Sequence, residues 1–171
     1  MRFRLVFGTV IAGLWLAPGV AAADTAVIAR SGPWQAFAGT TGDGTQVCGV
    51  STNWTDNRYF GLKYFKGDNT LTIQLGSPQW QINDGAKQRV AMQIDHNANW
   101  TATASGMHFS KDEAGLEFEI AAKQLSIFVE QFRDGEQLYL SFPGADVADW
   151  SASLEGTQVL IGSFANCVKA M

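Results

Sequence analysis

The chain has 171 residues, of which 46% are hydrophobic and 16% charged, and its formal net charge is −4. Many apolar residues beside few charges exclude an intrinsically disordered chain, and the length suits one globular domain. The sequence contains no cluster of lysine or arginine, so the acidic balance argues against nucleic acid and anionic lipid as partners.

The first 23 residues have the features of an export signal. Arg2 and Arg4 precede an apolar run at 5–16, and small residues at 21–23 form a cleavage site of the A-x-A kind. This apolar run of about a dozen residues is shorter than the roughly 20 that a membrane-spanning helix needs. We therefore predict a signal peptide at 1–23, a single mature domain at 24–171, a periplasmic or secreted location, and no stable membrane insertion.

Apolar and polar residues alternate over most of the mature chain, which is the pattern of strands with one buried face. In chain order, the predicted strands cover 34–38, 46–51, 59–65, 70–75, 79–82, 89–94, 100–104, 116–120, 137–142 and 150–154. Turns rich in glycine, asparagine and aspartate separate them. Short strands at this spacing predict a mainly β fold, either an antiparallel β-sandwich or a flattened barrel.

Two segments follow a helical period instead. In the segment 123–132, apolar residues recur at i, i+3, i+4 and i+7, and Gly135 follows as a stop signal. The segment 157–168 repeats this pattern at the end of the chain. The fold is therefore predicted to carry two short helices, one of them at the C-terminus.

The two cysteines are Cys48, near the start of the mature domain, and Cys167, in the last predicted helix. In an exported protein the expected state is a disulfide, which would tie the end of the chain to an early strand. Two buried free thiols remain the alternative, because the sequence does not show that the two sites meet. No C-x-x-C motif is present, so a thiol oxidoreductase is not predicted.

The residues that a hydrolase would need are scattered. His96 falls in a polar turn and His108 near a strand end, and no G-x-S-x-G motif accompanies them. Glu117 and Glu119 share a strand face, as the carboxylates of a glycosidase would, but they are interpreted as the solvent side of that strand. We therefore predict no catalytic residue and no enzyme activity.

The sequence carries one incomplete metal-binding motif. The segment 95–99 imitates the opening of a calcium loop, but Trp100 and Gly106 stand where that loop requires glycine and glutamate. No nucleotide-binding or zinc motif occurs. The prediction is that the protein holds no metal and no cofactor.

The tryptophans beyond residue 23 are predicted to fill the core for the most part, since Trp100 and Trp150 are in phase with apolar neighbours in their strands. Trp54 is the exception, because it lies in the polar loop 51–58. An aromatic side chain in such a loop is a candidate anchor for a partner. Trp54 is therefore the candidate binding residue.

Several of these features resemble the invasion-associated locus B family of exported bacterial proteins. Trp34 opens the mature domain, Cys48 follows it, and the segment 153–157 leads through Gly156 into the last helix. The segment 132–136, before an alternating strand, is also similar. The resemblance implies a β-sandwich-like protein in the periplasm or outside the cell that is linked to host-cell entry and has no established catalytic site.

The leading hypothesis is an exported, non-catalytic binding protein of the bacterial envelope whose partner is another protein. One alternative is an envelope hydrolase or hydrolase inhibitor with a dispersed site, which requires His96 or His108 beside a serine or carboxylate in a cleft. Another is a carrier of a small apolar ligand, which requires an internal cavity of about 300 Å³ or more. The sequence leaves the oligomeric state open.

Overall fold

The structure is a computed structural model that describes residues 24–110 and 113–171, so the predicted signal peptide lies outside the described residues. The strands are β1 (Asp24–Ser31), β2 (Trp34–Thr40), β3 (Gln46–Asn53), β4 (Tyr59–Phe65), β5 (Leu71–Ser77), β6 (Lys87–Ile94), β7 (Trp100–Ser110), β8 (Glu113–Ile120), β9 (Gln137–Ser141) and β10 (Trp150–Ser153). The helices are α1 (Leu125–Asp134), which follows a 3₁₀ turn at Ala122–Gln124, and α2 (Thr157–Lys169).

All the described strands belong to one antiparallel sheet in the order β1-β2-β3-β4-β5-β8-β7-β6-β9-β10. The chain runs as a meander from β1 to β5, and β8 then pairs with β5 so that β7 and β6 follow in reverse order. β9 and β10 extend the sheet beyond β6. The predicted mainly β, antiparallel fold with a C-terminal helix is confirmed, and it takes the form of one open sheet bent around a core.

The core contains aromatic rings contributed by both helices and by the strands. Phe128 and Phe132 on α1 are fully buried. The Phe132 ring stacks on Phe60 with centroids 5.9 Å apart and meets the edge of Trp34 at 5.2 Å. Helix α2 buries Leu160, Ile161 and Phe164 in the same cluster. The apolar faces that the two periodicities predict are therefore the faces that pack together.

Two parts of the chain differ from the sequence prediction. The strand predicted at 79–82 is wrong, because this segment is a loop between β5 and β6. Its alternation arises because Trp80 and Ile82 are partly buried while Gln81 is exposed, and a loop anchored in this way has the same pattern as a strand. Conversely, strand β1 was not predicted, because its residues are mostly exposed and apolar and polar residues do not alternate cleanly along it.

Candidate functional site

Cys48 in β3 and Cys167 in α2 form a disulfide, with their Cα atoms 6.0 Å apart and 119 positions between them in sequence. The Cys48 side chain is fully buried, and Cys167 is half-buried at the surface of the same cluster. The structure therefore favours the disulfide over the two free thiols. The cross-link holds α2 against β1, β2 and β3, which the helix contacts.

Trp54 packs against the fold instead of projecting from its loop. Its indole N–H donates to the carbonyl oxygen of Ser151 at 2.9 Å, and its ring tilts against Trp150 with centroids 5.6 Å apart. The Arg58 guanidinium lies over both rings, 5.3 Å from the Trp54 centroid and 5.2 Å from that of Trp150. Because the side chain is only half-buried, a part of it still faces solvent.

Two indole N–H groups connect the two ends of the sheet. The Trp34 N–H donates to Ser153 O at 2.7 Å, and the Trp54 N–H donates to Ser151 O. Ser151 and Ser153 alternate along β10, the last strand of the sheet. Carbonyls on one edge of a strand recur every second residue, so the two tryptophans satisfy acceptors that an edge strand leaves open. Sequence reasoning missed this role because the partners lie 119 and 97 positions apart.

The two histidines have different surroundings. His96 is exposed in the turn after β6. His108 in β7 places its Nδ1 atom 2.6 Å from Oδ1 of Asp84, and the two side chains are 39% and 77% exposed. A groove of about 580 Å³ adjoins them and is lined by Pro78, Trp80, Gln81, Ile82, Asn83, His108 and Ala114. His108 therefore stands beside a carboxylate at a cleft, which is the geometry that the hydrolase alternative requires.

Glu117 and Glu119 do not share one environment. Glu117 is half-buried and accepts a hydrogen bond from the Gln74 amide at 2.7 Å, and Gln74 in turn accepts one from the Lys63 ammonium. Burial lowers the pKa of Lys63, and the charge of Glu117 opposes that shift. Glu119 is exposed. The Gln74 bridge gives Glu117 a structural partner that Glu119 does not share.

Within residues 24–110 and 113–171, β1 is the first strand of the sheet and pairs only with β2. Its outer edge carries exposed apolar side chains. Val27 is 40% and Ile28 is 45% exposed, and the register with β2 shifts between Val27 and Ala29, which marks a β-bulge. Ile28 also lines an apolar groove of about 290 Å³ beside the disulfide, together with Val47 and Met171. This groove opens at the surface, whereas the carrier hypothesis requires an internal cavity of about 300 Å³ or more.

Neither helix in the described part of the chain has the length and hydrophobicity that a membrane crossing requires.

Among the same described residues, no three histidine, cysteine, aspartate or glutamate side chains are placed to hold a metal ion. The Asp95 carboxylate, at the start of the turn that imitates a calcium loop, accepts backbone N–H groups of Glu136 at 3.0 Å and Gln137 at 2.8 Å. Asp95 thereby fixes the start of β9.

The fold is similar to that of invasion associated protein b from Bartonella henselae. The two structures superpose with a TM-score of 0.55 over 87% of this chain and 99% of that one, at 15% sequence identity. No protein-family model matches the chain, and a comparison with curated proteins finds no similar sequence. The resemblance seen in the sequence is thus confirmed at the level of the fold.

Proposed function

We propose that the protein is a non-catalytic binding protein of the bacterial envelope, periplasmic or secreted. The observation that carries this proposal is the fold similarity to an invasion associated protein along almost the whole length of that chain. The disulfide between Cys48 and Cys167 supports an oxidising compartment, because such cross-links persist outside the cytosol. More specifically, we propose that the protein has a role associated with invasion.

The proposed partner is another protein, and the proposed contact is the edge of β1. An extended segment of the partner would add a short strand there, so that backbone hydrogen bonds supply affinity and side-chain pockets supply specificity. Val27 and Ile28 offer apolar contact on this edge, and the groove beside Ile28 can take one side chain. The bulge after Val27 bends the edge, which disfavours long flat strands and selects a short segment.

Site-specific photocrosslinking in the envelope of the native host tests the surface. A photoreactive residue at position 28 should cross-link one discrete protein, and Val27→Lys should abolish that product by placing a charge on the edge. The matched control is position 159, because Val159 is an exposed apolar residue on α2, 65% accessible. No product from position 28, or the same product from both positions, would overturn this surface.

Export is tested separately with the full chain in a Gram-negative host. We expect the protein in the periplasm or the medium, with an N-terminus at Asp24 and a disulfide detectable by mass before and after reduction and alkylation. Retention in the cytosol with both thiols free would overturn the envelope assignment without bearing on the fold.

The hydrolase alternative is the second candidate because His108 and Asp84 form a pair beside a groove. An imidazole oriented by a carboxylate is the base component of many hydrolytic sites. Purified protein incubated with peptidoglycan fragments and p-nitrophenyl esters decides between the two functions. Turnover that His108→Ala removes and His96→Ala retains would favour the hydrolase, and absence of turnover favours the binding protein.

A further inference from the structure

The groove beside Trp80 has a wall that is fixed to the sheet. The loop between β5 and β6 lies on β7, where Gly85 N–H donates to Gly106 O at 2.9 Å and Gly106 N–H donates to Ala86 O at 2.7 Å. A Cβ atom on Gly106 would lie 2.2 Å from the Asn83 carbonyl oxygen, so only glycine lets the loop approach this closely. The loop that forms this wall of the groove is therefore held close to β7 by backbone contacts.

The hydrogen bonds of the indole N–H groups distinguish Trp80 from most of the other tryptophans. Trp34, Trp54 and Trp100 each donate to an oxygen of the protein. Among the described residues the Trp80 N–H has no such acceptor. No buried side-chain N–H group there lacks a partner, so the Trp80 N–H is accessible to solvent. One face of the Trp80 ring stacks on Trp150 with centroids 4.9 Å apart, and the half-buried residue lines the groove.

Two side-chain amides of the groove can both donate and accept hydrogen bonds. Gln81 and Asn83 are exposed, and their amide groups make no hydrogen bond within residues 24–110 and 113–171. The Asp84 carboxylate, paired with His108 and 77% exposed, adds an acceptor at the rim. Amides beside an aromatic ring match a ligand that carries hydroxyl groups on a carbon-rich face, because hydroxyls donate and accept in the same way.

We propose that this groove, built around Trp80, Gln81 and Asn83, binds a neutral oligosaccharide. A sugar ring would pack against the part of Trp80 that lines the groove, and its hydroxyl groups would bond to the two amides and the indole N–H. Among the described residues the groove lining includes no lysine or arginine, and the Asp84 carboxylate pairs with its lining residue His108, so a neutral ligand fits the described lining better than an anionic one. The site is distinct from the β1 edge and does not rest on the proposed protein partner.

Titration of the isotope-labelled protein with maltohexaose, cellohexaose and chitohexaose tests the proposal. We expect at least one of the three to shift the NMR signal of the Trp80 indole N–H saturably. The indole signals of Trp34 and Trp54 serve as internal controls and should stay in place, since both groups already donate within the fold. No saturable shift at Trp80 with any of the three sugars at about 10 mM would overturn the proposal.

Variants then test which side chains recognise the sugar. Gln81→Ala with Asn83→Ala should weaken binding at least about tenfold, the loss expected from one or two hydrogen bonds. Gln124→Ala with Asn166→Ala removes two exposed amides from the helical side of the molecule and should leave affinity unchanged. Equal affinity of the groove variant and the parent would overturn the assignment, and recovery of the sugar intact distinguishes binding from hydrolysis.

Discussion

Tyr59 shows how one half-buried side chain makes stability depend on pH. Its ring meets Phe109 at a centroid distance of 5.7 Å on the outer face of β4. Burial raises the pKa of Tyr59 above its ordinary value of 10.0, and the charge of Glu113 adds to the shift while Ser51 opposes it. Because the folded state holds the phenol proton more tightly, this stabilisation is complete below pH 10.0 and is lost as the pH rises through the folded-state pKa.

We therefore expect Tyr59→Phe to flatten the fall in the free energy of unfolding above about pH 10. Urea unfolding at a series of alkaline pH values measures the slope. Burial lowers the pKa of Lys63, and this makes the free energy of unfolding rise with pH instead of fall. The quantity to compare is therefore the difference in slope between variant and parent. Tyr139→Phe, on an exposed ring, is the control, and an equal change in both variants would contradict the role of Tyr59.

Trp34 provides a second residue-scale prediction. It is 1% exposed, and its N–H is the partner of Ser153 O at 2.7 Å. Trp34→Phe keeps an aromatic ring but leaves this carbonyl without its donor and opens a small cavity, so we expect a loss of about 1–3 kcal/mol in the free energy of unfolding. Trp100→Phe is the matched control, because its N–H donates to the Gln131 side chain, which can turn to water. Equal losses in urea unfolding would contradict the importance of the Ser153 bond.

At the scale of an element, the start of α2 depends on the backbone of Gly156. This residue has φ of 94°, and a Cβ atom there would lie 2.5 Å from Oγ of Ser31. We expect Gly156→Ala to lower the free energy of unfolding by about 1–3 kcal/mol, because the left-handed conformation and the contact both exclude a side chain. Thermal and urea unfolding measure the effect.

Gly162 in the middle of the same helix supplies the opposite case. Nothing lies within 4 Å of the position that its Cβ would take. Gly162→Ala should therefore raise the free energy of unfolding by about 0.5–1 kcal/mol through helix propensity alone. If both substitutions destabilised the protein equally, Gly156 would not be the residue that fixes the entry into α2.

The elements also show what periodicity can and cannot predict. Alternation along 89–94 predicts β6, and the helical period of 123–132 predicts α1 within two residues at each end. A local pattern says which face of a strand is buried but not which strand lies beside it, so the pairing of β5 with β8 could not be predicted. The same limit applies to the site, because the bond between His108 and Asp84 joins residues 24 positions apart.

For the whole molecule, the disulfide is the covalent link between the first half of the sheet and the last helix. It joins β3 to α2 across 119 positions, and α2 lies on β1, β2 and β3. Constraining so long a loop in the unfolded chain is worth about 3–5 kcal/mol, so Cys48→Ala with Cys167→Ala should lower the free energy of unfolding by that amount.

Hydrogen exchange separates this covalent effect from a general loss of packing. In the double variant we expect faster exchange in α2 and β1, since the helix loses its link to β3, while β6 and β9 on the other side of the sheet keep more of their protection. The double variant is preferred to Cys167→Ala alone, because a single variant leaves a free thiol at the fully buried Cys48. Alkylating that thiol would add volume to the core and disturb its packing. Unchanged urea unfolding in the double variant would contradict a stabilising cross-link, and uniform exchange would mean that the sheet and α2 unfold only together.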